Sequence, residues 1–407
     1  MIICSSLARH LALFVCVLVF LSPHLASAQT RNAIRERAAA PFISYEEKKR
    51  QVSDIAVTIM TSGLTCTCAR FASDIRDIVN DLQPGGLRVL PVLGVGGLQT
   101  VDDVLFLKGI DMGVVDEDNL RLLKKRDPRL YGDIEQRVHY ITRLYNNEFH
   151  VLARKEIRSF DELRGKKVSF NLKNSQSEVT AEAIFEMLKI DVQRVNYDNN
   201  AAIQKLRENE ISAMVVLSGA PQSALARVKK EDNLHLLALD ERALPNQDLE
   251  PVFNDYLRAR LTHEQYPALI PEGESVSTVA NRALLVAYNW QENSPRYQRL
   301  AKFVDAFFDR IYQFHDGARH PKWKEINLAA EVPGWTRFKP AADWLARHKG
   351  ALASRDAQIN LKPAFEQFVA TYTASRGNKP LSPRDTEVLF VEFRKFLQSQ
   401  VSTQSTR

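Results

Sequence analysis

Residues 139–177, HYITRLYNNEFHVLARKEIRSFDELRGKKVSFNLKNSQS, constrain the fold more than any other stretch. Tyr140 to Ala153 alternates as a strand, with a break expected at Asn146-Asn147. Phe160 to Leu163 reads as one helical turn closed by Gly165, and Val168 to Leu172 alternates again. The chain then enters the polar run Asn174-Ser175-Gln176-Ser177. Ser175 and Glu178 stand at capping-box spacing, and Ala181, Ile184, Phe185 and Leu188 fall on one helical face. A strand that runs into a polar helix start presents unpaired backbone N–H groups at that point. The stretch therefore reads as the crossing from one α/β lobe to another, with half of a ligand site just beyond it.

The flanking segments follow the same grammar. Residues 29–50 are charged and Ala-rich and suit a short helix or mobile arm. Ile55 to Met60 is the first expected strand, ending at Thr61-Ser62-Gly63-Leu64-Thr65, and Phe71, Ile75, Ile78, Val79 and Leu82 mark the helix after it. Leu87 to Leu93 is a second strand running into Gly94-Val95-Gly96-Gly97-Leu98-Gln99. A helix capped by Thr100, with Asp103 three residues on, and a third strand from Asp111 to Val115 come next. Strand–helix alternation with loops this short implies a parallel sheet with right-handed crossovers. After the crossing, Ala201 to Glu208 is helical and Ile211 to Leu217 is the apolar run of a strand buried on both faces, before a further helix leading to Leu234–Leu239. Arg282 to Tyr288 is a strand able to carry the chain back, and Tyr297 to Ile311 holds the longest apolar helical face. The expected architecture is α/β with two lobes and a cleft between them. One lobe spans 52–148 and 281–345, the other spans 149–280, and 350–407 forms a helical appendage.

Arg9 and His10 precede the apolar run Leu11 to Leu21, and Ala26-Ser27-Ala28 offers a small-x-small cleavage site. Residues 1–28 thus read as a cleaved secretory signal peptide, the rival being an uncleaved anchor, for which the run is short. The expected location is the periplasm. Removing Arg9 with that segment takes the formal charge from +6 to +5, which gives no argument for nucleic acid. The cluster Arg121, Lys124, Lys125, Arg126 and Arg129 suits a solvated helix face or a partner surface. Cys66 and Cys68 alone remain among the cysteines, too close in sequence for an unstrained disulfide. They suit two partly buried thiols, with a strained redox pair or an intermolecular link as the alternatives.

No sequence pattern of metalloprotease, nucleophile elbow, P-loop or paired CxxC is present, and His315 and His320 suit loop positions better than metal ligation. Neither catalytic residues nor a cofactor or metal are expected. The strand-end loops instead place Thr61, Ser62 and Thr65, then Gly96, Gly97 and Gln99, in the first lobe, and Asn174, Ser175 and Ser177, then Ser218 and Gly219, in the second. Each of these residues serves equally as a cap or turn, and it is their coincidence at strand ends of both lobes that points to a site. Hydroxyls, amides and helix-start N–H groups suit a carboxylate or another small polar acid. Asp116, Glu117 and Asp118 read as a solvated turn that would repel an anion if turned inward, yet would partner a ligand's amino group.

Four pieces carry a resemblance. They are Ile59 to Gly63; Gly109 to Val115; Leu144-Tyr145 with Phe149 to Arg154 and Asp161-Glu162-Leu163-Arg164-Gly165-Lys166-Lys167-Val168; and Glu210 to Ala213 with Gly219-Ala220-Pro221. In this order they resemble the TAXI branch of TRAP-transporter solute receptors, a family of type II periplasmic binding proteins, over about Asp54 to Phe314. The resemblance implies a receptor that closes on a small organic acid or amino acid and hands it to membrane permease subunits. Gly63 to Cys68 departs from the family's Gly-Gly-Thr-Tyr-Tyr-like loop, and Asn174 to Ser177 from its Gly-Ser-Gly-like turn. The tail lies outside the matching region, so a periplasmic sensor or scaffold acting on a membrane signalling partner is the second reading. An enzyme using Cys66 and Cys68 is the third.

Overall fold

A computed structural model describes residues 43–81, 83, 85–315, 317 and 319–349, with Phe365, Val369 and Leu389 singly. The expected signal peptide lies outside the described residues, as does the expected C-terminal appendage apart from those three helical positions. Helix α1 (Tyr45–Ile55) carries Glu46 and Glu47 in its first turn, buries none of its side chains, and is tied internally by Arg50 and Gln51 to Glu47. No helix among the described residues is long and apolar enough to cross a membrane.

The rest is built on one ten-stranded sheet whose strand order is β2 (Arg88–Leu93), β1 (Ala56–Thr61), β3 (Met112–Asp116), β10 (Ser275–Tyr288), β4 (Val138–Arg154), β7 (Ala213–Ser218), β5 (Lys167–Ser169) and β6 (Gln193–Val195), with β8 (Leu234–Leu236) adding to β4 and β9 (Leu257–Thr262) to β10. In the first lobe β1 (Ala56–Thr61) lies parallel to β2 (Arg88–Leu93) and to β3 (Met112–Asp116). Helices α2 (Thr67–Val79) and α3 (Leu98–Phe106) supply the crossovers. In the second lobe β5 (Lys167–Ser169) lies parallel to β6 (Gln193–Val195) and β7 (Ala213–Ser218), connected by α7 (Gln176–Met187) and α8 (Asn199–Arg207), and a short helix α9 (Glu250–Asp255) follows later in the same lobe. Three short helices, α4 (Asn119–Arg126), α5 (Pro128–Tyr131) and α6 (Ile134–Arg137), lead from β3 to β4.

Two long strands belong to both lobes. β4 (Val138–Arg154) and β10 (Ser275–Tyr288) pair antiparallel with each other. β10 meets β3 at Ala283–Ala287 and β9 (Leu257–Thr262) at Ser275–Ala280, whereas β4 meets β7 at Glu148–Ala153 and β8 (Leu234–Leu236) at Leu152–Arg154. Parallel sheet halves joined through a pair of shared antiparallel strands make the type II periplasmic-binding-protein arrangement. β4 runs unbroken through Asn146-Asn147, where a break was expected, and the irregularity falls just before them as a register shift against β10 between Arg143 and Asn146. Both side chains bond to other side chains (Asn146 to Arg143, Asn147 to Asp116), leaving their backbone groups to the ladder with Arg282 and Asn281. The helix expected before Leu234 is instead two 3₁₀ turns, Leu225–Arg227 and Lys230–Asp232, followed by β8.

Each lobe has its own apolar interior. In the first, α10 (Pro295–Asp309) lays Leu300, Phe303, Val304, Phe307 and Phe308 against α2 and the sheet. Trp323 is fully buried between Phe71 and Phe314, both rings 4.0 Å away, and donates its indole N–H to Asp74 at 2.8 Å. In the second, Phe149, Phe160, Phe170 and Phe185 fill one face of the sheet and Leu206, Ile211, Met214 and Tyr266 the other. Burial of side chains this size contributes about 2–3 kcal/mol each. The segment after α10 also braces the shared strands, because Lys322 Nζ donates to Glu148 Oε1 at 2.6 Å with both groups buried.

Candidate functional site

The parallel strands of both lobes aim their C-terminal ends at one place, as an open α/β sheet does wherever strand order reverses. There the lobes enclose a cavity of about 340 Å³. From the first lobe it is lined by Ser62 to Cys66 and Cys68 after β1, Val95 to Gly97 after β2, and Val114 and Asp116 on β3. Asn147 of β4 forms part of the floor. The second lobe contributes Asn171, Leu172, Ser175 to Ser177, Asp198 to Asn200 and Val216 to Ser218.

Four helices begin at this wall, for local reasons readable in the chain. Cys66 is the N-cap of α2, Gly97 of α3, Ser175 of α7 and Asp198 of α8. Ser175 Oγ accepts the Glu178 N–H at 3.3 Å, one arm of the expected capping box. The reciprocal arm reaches Asn174 rather than Ser175, since the left-handed Asn174 (φ 63°) turns its own N–H toward the Glu178 carboxylate. Asp198 accepts from Asn200 and Ala201 N–H at 2.9 and 3.0 Å. The cap expected at Thr100 sits instead at Gly97 (φ 61°, ψ −141°), a conformation open to glycine, and Thr100 is buried within α3. Helix starts give this cavity the positive ends of peptide dipoles, and none of its lining residues is Lys, Arg or His.

The one buried ionisable side chain in the lining is Asp116, 5% exposed at the end of β3. Its Oδ1 accepts the Asn147 amide at 2.7 Å, and its N–H donates to Asn119 Oδ1 at 2.8 Å. Burial holds the carboxyl well above the usual range, the nearby Asp118 adds to this, and the Asn147 amide opposes it. The solvated turn expected at 116–118 is thus corrected for two of its three residues: Asp116 and Asp118 are buried, and Glu117 pairs with Arg282 at 2.6 Å. Asp118 Oδ1 accepts the Gln176 amide at 3.2 Å, and burial pushes its carboxyl up to about 6.

The lobes meet directly around the cavity. Asn119 donates to Gln176 Oε1 at 2.7 Å, Asn199 to the Thr65 hydroxyl at 3.0 Å, and Gln222 to the Thr65 carbonyl at 2.8 Å. The Thr67 hydroxyl donates to the Gly219 carbonyl at 2.8 Å, and the Thr67 N–H to Ser218 Oγ at 3.3 Å. Cleft-spanning bonds of this kind mark a closed arrangement of the lobes.

Of the residues singled out from the sequence, Ser62, Thr65, Gly96, Gly97, Ser175, Ser177 and Ser218 line the cavity. Four do not. Thr61 is buried with its hydroxyl turned to the Ser62 and Val92 carbonyls, both at 3.2 Å. Gln99 points to solvent from α3, and Asn174 is an exposed turn residue. Gly219 lies behind the wall, where a Cβ would come within 2.9 Å of the Tyr145 ring. Ser177 lines the cavity yet spends its hydroxyl on the Leu217 N–H at 2.9 Å. Asn147, Gln176, Asp198 and Asn199 also line the cavity and are not among the residues expected from the sequence. Asp198 and Asn199 had a usable signal, an Asp-Asn-Asn run opening a helix after a short strand.

Cys66 and Cys68 are joined as a disulfide, correcting the reading as two thiols. The chain turns from an extended Cys66 (φ −72°, ψ 139°) into the first turn of α2, which brings the two Cα atoms to 5.2 Å, within the span of a disulfide. Among the described residues no three His, Cys, Asp or Glu side chains cluster as a metal site. His320 instead donates toward the Pro221 carbonyl at 3.3 Å while its Nδ1 accepts the Lys322 N–H.

Solved structures with a related arrangement share little sequence. A ligand-binding component of an ABC-type import system from Staphylococcus aureus is 11% identical with a TM-score of 0.39, covering 64% of this chain and 75% of that one. A structure described as a periplasmic transporter is 13% identical with a TM-score of 0.42, covering 74% and 97%. The alkanesulfonate-binding protein SsuA from Xanthomonas axonopodis pv. citri, bound to MOPS, is 11% identical with a TM-score of 0.37, covering 64% and 76%. No curated protein matches the chain. Residues 108–334, more than half of the chain, match the model of the NMT1-like family, and the chain belongs to that family.

Proposed function

We propose that this protein is an exported receptor that captures a small organic acid or amino acid between its lobes and delivers it to the membrane permease of a TRAP-type transporter, as a member of the TAXI branch. The observation that carries the reading is the interlobe cavity of about 340 Å³, ringed by four helix N-termini with the buried Asp116 on its floor. Helix-start N–H groups match a carboxylate, and Asp116 matches an ammonium group. A ligand carrying both satisfies the whole wall, because its cation restores the Asp116 charge that burial otherwise disfavours. Residues 52–148 and 281–345 then act as one lobe and 149–280 as the other, hinged at β4 and β10. Residues 1–28 serve as the export signal that places the receptor in the periplasm.

A thermal-shift panel of amino acids, keto acids and simple carboxylates on the mature protein tests this, since a ligand of the folded form alone raises the midpoint by mass action. The expected result is a shift with one amine-bearing acid that Asp116→Asn abolishes. Silence across the panel removes the reading, and an Asp116-independent shift with a plain acid removes the amine.

A further inference from the structure

The cavity wall carries a group with chemistry of its own. The Cys66–Cys68 disulfide lines it, and the two sulfurs differ in access. Cys66 is half-buried at the N-cap of α2, whereas Cys68 is 6% exposed and packs into the first-lobe core, so Cys66 is the more accessible residue of the pair. Both sulfurs face donors: Cys66 Sγ accepts the Cys68 N–H at 3.1 Å, and Cys68 Sγ faces two groups of Ser62. The Ser62 N–H lies 3.4 Å away and the Ser62 hydroxyl 3.3 Å away. A disulfide sulfur has no proton, so the hydroxyl is the donor. Both cysteines stand at the start of a 13-residue helix, whose N-terminal dipole favours a thiolate at either sulfur, and Cys68 adds the Ser62 donors to it.

A purely stabilising link explains this placement poorly. Bridging residues only two apart closes a very small loop and removes little freedom from the unfolded chain. We propose that Cys66–Cys68 is an exchange-active disulfide for a low-molecular-weight thiol entering the cavity, with Cys66 the sulfur attacked and Cys68 the leaving group. The thiol loses its proton to solvent, and the resulting thiolate attacks Cys66 Sγ and forms a new S–S bond with it. The Cys66–Cys68 bond breaks, its electron pair departs on Cys68 Sγ, and the Ser62 donors hold that thiolate. Return attack by Cys68 on Cys66 restores the internal disulfide and expels the thiol. A second thiol attacking the mixed disulfide leaves the dithiol and carries off an external disulfide, so two electrons pass from the thiols to the protein. The chemistry stands whether or not the cavity also takes an acid.

The experiment is a time course of the folded mature protein with L-cysteine as the thiol, under anaerobic conditions. Samples are acid-quenched, alkylated and read by intact mass and peptide mapping. The expected result is a cysteinyl adduct on Cys66 with Cys68 alkylated, giving way to dithiol. Ser62→Ala should slow adduct formation about 2- to 10-fold, the loss of one hydrogen bond to the leaving sulfur. Survival of the internal disulfide in the folded protein, under conditions that reduce it in the urea-unfolded chain, overturns the proposal. Single-thiol variants test the leaving group: the lone Cys68 of Cys66→Ser should ionise at lower pH than the lone Cys66 of Cys68→Ser, read from the pH dependence of iodoacetamide alkylation. An equal or reversed order, or a cysteinyl adduct mapping to Cys68, overturns the assignment of attacked and leaving sulfurs.

Discussion

Asp118 offers a perturbation whose size follows from its surroundings. Burial is the main cause that lifts its carboxyl to about 6 from 3.8, opposed by the Asn281 amide, Arg121 and Gln176. At about 1.4 kcal/mol per pH unit, the folded protein then prefers the protonated form by about 3 kcal/mol over the unfolded chain. The folded pKa is raised, so this stability is fully present below pH 3.8 and is lost as pH rises through 6. Asp118→Asn keeps an acceptor for Gln176 and removes the charge. Urea unfolding of the wild type and the variant from pH 4 to 8 should show the wild type losing about 2 kcal/mol relative to the variant between pH 4 and 6, because the unfolded carboxyl is already half ionised at pH 4 and the folded one still half protonated at pH 6. The comparison has to be a difference. His150 is pressed down to about 4 by burial and loses its contribution as pH falls from 6.5, so it masks Asp118 in the wild type alone. His150 is common to both proteins and cancels. Asp116 works in the same direction as Asp118, because removing the neighbouring charge eases its ionisation. A flat difference across pH 4–7, or one that favours the wild type as pH rises, would refute the reasoning.

Gly97→Ala forces a side chain onto a backbone at φ 61° and brings a Cβ within 2.9 Å of the Gln176 nitrogen across the cleft. The cost is about 1–3 kcal/mol of backbone strain, and the lobes should be held apart, seen as a larger radius of gyration by small-angle scattering; an unchanged curve counts against contact at this point. Lys322→Met strands Glu148 in the interior with only the Ala220 N–H at 2.8 Å, and should cost about 3–5 kcal/mol at pH 7.5 by urea unfolding. Burial already raises the Glu148 pKa with Lys322 opposing, so the variant takes up a proton more readily and the cost should shrink at pH 5. Trp323→Phe keeps an aromatic ring between Phe71 and Phe314 but drops the bond to the buried Asp74, for about 1–3 kcal/mol; Trp323→Ala should cost about 3–5 kcal/mol.

Local elements and their order follow from the chain's own residue pattern. Apolar periodicity placed β1, β2, β3 and β7 within about two residues, and the shortness of the loops required parallel pairing, because a right-handed crossover is the compact route between such strands. Polar strand ends mark where the lobes face each other, and Ser62, Thr65, Gly97, Ser175 and Ser218 lie on the cavity wall there. What faces the cavity depends on packing between segments distant in the chain. Thr61 and Ser62 are neighbours of similar chemistry, yet strand alternation turns one hydroxyl to the Val92 carbonyl and leaves the other on the wall. Asp116 looked like a turn residue because exposure is the ordinary fate of a carboxylate, and only the packing of β4 and the Asn147 amide beside it keep it inside. Cys66 and Cys68 looked too close to join because spacing along the chain does not record a turn from extended backbone into helix. Contacts across the cleft, such as Asn199 with Thr65, join residues far apart in sequence, and no local pattern encodes them.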